Sequence, residues 1–241
     1  METAIPPAQS HSNQRNVALA SAVAISALGA LLVLFFKTDT AVGGTFIERA
    51  AIPGRMLLLV MTATFLLRYA GENWRVVGLR APTSPWRTAA LIIGGYLAVG
   101  VAIALVTKIL LPLMNFPQRT TILFADIHGN LGEYLYWLIP IAWGSAAVGE
   151  ELVFRGFLQT RFERVLSSIP GAAAIAAFGQ AIIFGLLHAY QGASGAIIAG
   201  VTGLIIGLIY IVSHRNLWIC IILHGLIDTV SLTAIYIGVA S

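Results

Sequence analysis

Gly149-Glu150-Glu151-Leu152-Val153-Phe154-Arg155-Gly156 follows directly on Leu138-Ile139-Pro140-Ile141-Ala142-Trp143-Gly144-Ser145-Ala146-Ala147-Val148. The apolar run could lie in lipid, which would hold the two carboxylates and the arginine that follow it at or near membrane depth. Ionisable groups there are expensive and by default mark a functional site. In a helix, Glu151 and Arg155 are four residues apart, share a face and can pair. Glu150 is then turned about 100° away and left for other work. The stretch predicts one structural carboxylate and one chemical one.

The whole chain supports reading this stretch in a membrane. Of its 241 residues, 58% are hydrophobic and only 10% are charged, with a mean hydropathy of +0.87. Soluble domains carry about 25% charged residues, so the composition specifies a polytopic membrane protein in a single domain, 1–241. The net charge of +4 comes from arginines between apolar spans. That pattern sets orientation and gives no hint of nucleic-acid binding. The single cysteine, Cys220, excludes an intrachain disulfide and a Cys-rich metal site. It reads as a small core residue.

At about 20 apolar residues per crossing, seven spans are expected: 16–36, 54–71, 87–112, 131–150, 171–190, 194–213 and 217–239. The first is longer than the apolar part of a signal peptide and reads as a retained helix. The fourth is expected to continue as helix to about residue 166. A short interfacial helix within 37–53 or 113–130 would make eight. Arg15, Arg68, Arg75, Arg80, Arg87, Arg161, Arg164 and Arg215 fall on one side of this arrangement. Lys37, Arg49, Arg55 and Arg119 fall on the other, partly offset by Asp39, Glu48 and Asp126. The bias places the N-terminus in the cytoplasm and, with seven spans, the C-terminus outside. Gly203-x-x-x-Gly207 in the sixth span is a small-residue packing face, expected to serve contacts within the bundle.

Two further polar motifs interrupt apolar helices. Phe184-Gly185-Leu186-Leu187-His188 closes the fifth span, and His224-Gly225-Leu226-Ile227-Asp228 lies in the last. His224 and Asp228 share a face one turn apart. Glu150 precedes Ile169, the centre of the turn after the fourth span, by 19 residues, and His188 follows it by 19. In an antiparallel hairpin both lie about 28 Å from the turn, at one height. His224 is nine residues past Arg215. It reaches that height only if the fourth and fifth helices project beyond the membrane at their cytoplasmic end.

Glu-Glu-x-x-x-Arg, Phe-x-x-x-His and His-x-x-x-Asx, in this order on late transmembrane helices, resemble the CPBP family. Its members are the CAAX-prenyl-protease and bacteriocin-processing (Abi) membrane proteins, and the likeness runs from about 130 to 235. The resemblance implies a glutamate-type intramembrane endopeptidase. Glu150 and His188 would activate water, His224 and Asp228 would hold the oxyanion, and Glu151 and Arg155 would be supporting residues. Phe184 reads as packing one turn from His188.

The chemistry is consistent with the residue types. A carboxylate at low dielectric beside a like charge is a credible acid/base near neutral pH. Position 228 departs from the better donor, because an amide donates whereas an ionised aspartate only accepts. Asp228 must be protonated, or must orient His224 instead.

Competing chemistries fit less well. There is no His-Glu-x-x-His for a zinc site of that type. Asp228 is the lone aspartate within a span, which leaves a two-aspartate mechanism without its partner. Ser145 has no evident base. A zinc ion on Glu150, His188 and His224 has suitable ligand types and remains the minor alternative to a site without a cofactor. The leading expectation is a metal-independent endopeptidase cutting a membrane-associated protein or peptide. Its locale is the lipid bilayer, the cell inner membrane if the source is prokaryotic. The rivals are a non-catalytic immunity or scaffolding protein and a transporter using Glu150 as proton carrier.

Overall fold

The computed structural model describes residues 11–35, 46–117 and 122–239. Within them the chain forms seven helical rods and no strand: α1 His11–Phe35, α2 Phe46–Tyr69, α3 Pro85–Leu113, α4 residues 131–165, α5 Ala172–Leu187, α6 Gly192–Val212 and α7 Leu217–Tyr236. Five rods are long and apolar enough to cross a membrane. The other two are α4, which carries the charged stretch, and α5, which has only 16 residues. The all-α bundle of about seven helices is the architecture expected from the sequence. Lys37, Asp39 and Arg119 lie outside the described residues, as does part of each window considered for an eighth helix. The described part of the second window holds a 3-10 turn, Ile122–Ile127.

Local chemistry sets the helix ends. Ser84, Asn130 and Asn216 each accept a backbone N–H of the first turn of α3, α4 and α7, satisfying donors that a helix start leaves unpaired. Two changes in winding lie beside a proline. Its ring clashes with the carbonyl four residues back, and wider π-type hydrogen bonding occurs around Pro112 (Val106–Leu110) and Pro140 (Trp137–Gln159). The second segment contains the Glu-Glu motif; π-type turns often accompany functional sites. α5 stops at Leu187, three residues short of the expected 190. The chain reverses there through Ala189–Gln191 and through Gly192 at φ 81° and ψ 173°, a conformation essentially reserved for glycine.

α4 runs through the middle of the bundle. Glu151, Arg155, Phe157 and Gln159 are all fully buried. The glycine stripe of α6 makes this possible. A methyl group at Gly203 would press on Phe184 and Arg155, and one at Gly207 on Gln180 and Gln159. With hydrogen there instead, Arg155 donates to the Gly203 carbonyl (3.0 Å), Gln159 to the Gly207 carbonyl (3.1 Å) and Gln180 to the Gly203 carbonyl (3.0 Å). The stripe therefore seats buried polar side chains inside the bundle.

The arginine-rich loops gather at one end. Glu72, between α2 and α3, accepts from Arg161 (2.8 Å) and from Arg164, while Glu163 pairs with Arg215. Arg80 and Arg87 donate to the His214 and Val212 carbonyls at 2.9 and 2.8 Å. Gly78, at φ 104°, lies so close to the Arg215 carbonyl that no side chain fits. The pairing of Glu163 with Arg215 sets the last turn of α4 beside the start of α7.

Burial alone would raise the Glu72 carboxyl, but its bonds to Arg164 and Arg161 and their charges outweigh this and hold it below its ordinary value. A carboxyl lowered by folding stabilises fully above its unfolded value, about 4.3, and loses that contribution as pH falls through the folded value. Glu72→Gln should therefore lower the melting temperature in detergent at neutral pH. The effect should be about 1 kcal/mol or less, because solvent screens the clamp. The gap to wild type should close as the pH is taken below the carboxylate range. A gap that persists in acid would show that the charge of Glu72 is not what matters.

Candidate active site

The three motifs converge on one cavity of about 560 Å³, lined by Glu150, His188, His224 and Asp228 together with Phe184 and Ser145. α4 supplies Glu150 and the α5 terminus supplies His188, whose Nε2 lies 3.9 Å from Glu150 Oε1. The equal heights argued from the 19-residue offsets are thus met. His188 Nδ1 is 2.8 Å from the Phe184 carbonyl. A carbonyl only accepts, so Nδ1 carries the proton and donates. That leaves Nε2 as the ring nitrogen directed at Glu150. At 3.9 Å the two groups do not bond directly, but one water can bond both.

His224 is held differently. Its Nδ1 donates to Glu151 Oε1 at 2.7 Å, and the same oxygen accepts from Arg155 at 2.8 Å. Glu151 and Arg155 are fully buried and His224 nearly so. The pairing of Glu151 with Arg155 is the one expected from their i, i+4 spacing. The bond from His224 was not anticipated: across 73 residues of chain, nothing in the spacing announces it. Asp228 Oδ2 stands 3.7 Å from His224 Nε2, beyond a hydrogen bond. Glu151 therefore fixes the ring, and Asp228 stands beside the nitrogen that faces the cavity.

Phe184 does more than pack. It stacks edge-on against Phe154 (4.9 Å), lies 4.5 Å from the His188 ring and 6.4 Å from the His224 ring, and carries the Arg155 guanidinium over its face at 4.8 Å. Its ring separates the two histidine systems, and its carbonyl sets the His188 tautomer.

Four more residues belong to the surroundings of the site. Gln159 continues the Glu151–Arg155 face by one turn, and Gln180 lies one turn before Phe184; both are fully buried. Extending the four-residue period from Glu151 would have found Gln159. Arg55 lines the cavity, and the rule applied to Glu150, a charge inside an apolar run, applies to it equally. Tyr190 stacks on His188 at 5.8 Å. Cys220 is buried core as expected, and Lys108, His128 and His214 are exposed. His11's side chain lies outside the described residues.

Among the described residues, no three side chains of His, Cys, Asp and Glu gather closely enough to hold one metal ion. The Nδ1 atoms of both histidines are already engaged.

Residues 132–230 match the family described as Type II CAAX prenyl endopeptidase Rce1-like. No curated protein and no solved structure matches the chain. The matched segment spans α4 to α7 and contains all three motifs, while α1 to α3 lie outside it. With five helices fit to cross a bilayer, the chain is an integral, multi-pass membrane protein. The segment 132–230, which holds Glu150, His188, His224 and Asp228, is similar to the type II CAAX prenyl endopeptidases of the Rce1-like family.

Proposed function

We propose that the protein is a metal-independent intramembrane endopeptidase that hydrolyses a peptide bond of a membrane-associated protein or peptide. The observation that carries this reading is the 3.9 Å approach of Glu150 to His188 in a cavity that also receives His224. Glu150 takes a proton from a water that His188 Nε2 holds in place, and the hydroxide attacks the carbonyl carbon. With both ring nitrogens protonated, His224 gives one N–H to Glu151 and the other to the developing oxyanion. The C–N bond then breaks, and the proton taken up by Glu150 passes to the leaving amine. The products are a carboxylic acid and an amine, which become carboxylate and ammonium when the acid's proton passes to the amine.

Asp228 can bond the oxyanion itself only as a donor, hence only when protonated. Orientation of His224 is assigned to Glu151, supported by the 2.7 Å bond. Single-turnover cleavage of membrane-anchored peptides tests the scheme. His224→Ala should lose on the order of 10²–10³ in rate, the usual cost of an oxyanion donor, and a chelator should have no effect. Asp228→Asn should be neutral or faster, since the amide supplies a donor. Loss of activity in the Asn variant would mean that the carboxylate is needed, to orient His224 or to ligate a metal, and loss with chelator as well would assign it to the metal. If no peptide is cut, the protein acts as an immunity or scaffolding member of the family.

A further inference from the structure

On every helix, the residues that line the cavity lie on the same side of the catalytic level. They are the later part of α1 from Gly29, the first part of α2 up to Leu59, the later part of α3 at Ile103 and α4 up to Phe154. On α5 they are its last residues from Phe184, on α6 the first part up to Thr202, and on α7 the part from His224 to Ile235. Each is the half remote from the end where Glu72, Arg161, Arg164, Glu163 and Arg215 lock together. Between the cavity and that end, Arg155, Phe157, Gln159, Tyr210 and Leu217 are completely buried. None of them lines the cavity. Arg155 and Gln159 are tied there to α6 carbonyls at 3.0 and 3.1 Å. The arginine-rich end is a plug. At the opposite end, Tyr190 and Ser231 both line the cavity and are exposed. Arg55, a cation that lipid alone would not tolerate, lines it as well.

Positive charge accumulates on the cytoplasmic side of membrane proteins, and here the arginine-rich end is the closed one. We propose that the cavity admits its peptide from the extracytoplasmic face, so that the substrate is a segment of an exported or membrane-anchored protein displayed there and not a cytosolic tail. This rests on the endopeptidase reading for the word substrate, but the side of access does not depend on turnover and is measured without it.

The experiment is labelling of the full chain in right-side-out and inverted membrane vesicles with a membrane-impermeant maleimide. Cys220, the native cysteine, is fully buried and gives a low background. Ser231→Cys and Ile235→Cys report the cavity, and Arg75→Cys reports the arginine-rich face. Both cavity positions should label in right-side-out vesicles and lose labelling in inverted ones, with Arg75→Cys showing the reverse. Cavity labelling in inverted vesicles alone, or labelling of Arg75→Cys from outside, would overturn the proposal. So would a cavity reached from neither side. Correct labelling without cleavage of any peptide would sink the endopeptidase reading and leave the side of access standing.

Discussion

Glu150→Gln is expected to abolish hydrolysis, lowering single-turnover cleavage by about 10²–10⁴, the range for removing a general base. The replacement keeps the shape of the side chain and the amide can still bond a water, so substrate binding should survive. What disappears is a group able to take the proton. Glu150 lines the cavity, half-buried, with His188 Nε2 at 3.9 Å. It does not share the Glu151–Arg155 pair, so the fold should be unaffected, and the melting temperature should match wild type. The readout is cleavage of a membrane-anchored peptide beside an unfolding curve of the same preparation. Cleavage at the wild-type rate would end the hydrolase reading in favour of a scaffold.

Arg155→Ala should have the largest effect on stability. Arg155 and Glu151 are both fully buried and bonded at 2.8 Å. Removing one member of a buried pair typically costs about 3–5 kcal/mol, because the other charge is left uncompensated. Here the loss also strips a donor from the Gly203 carbonyl and a cation from the Phe184 face. For a chain of this length the melting temperature should fall by roughly 10 °C. Replacing both partners at once, as in Glu151→Leu with Arg155→Met, should recover much of that stability, since buried pairs are often no better than apolar packing of like volume. Cleavage should not recover with it, because His224 has lost the acceptor of its Nδ1–H. A double variant that is stable and fully active would show that Glu151 serves the fold alone.

The sequence by itself determined the all-helical membrane class, the seven helices and four of the polar residues that line the cavity. Each of these follows from a local rule. Apolar runs of span length must be helical in lipid, because no water is there to satisfy the backbone. A charge in such a run is costly enough to need a reason. Equal 19-residue offsets from one turn place Glu150 and His188 level, since helical rise is constant. The Glu151–Arg155 pair is likewise a matter of spacing along one helix.

What only the tertiary structure decided are the relations across helices, which depend on rotation of each rod about its axis. Spacing does not determine that rotation in a bundle where neighbouring apolar faces are alike. The His224–Glu151 bond, the fixing of His188 by the Phe184 carbonyl and the withdrawal of Asp228 to 3.7 Å all depend on how α4, α5 and α7 turn toward one another. The glycine stripe of α6 read as packing in the sequence. Only in the assembled bundle does it accept Arg155 and Gln159 and close the arginine-rich end.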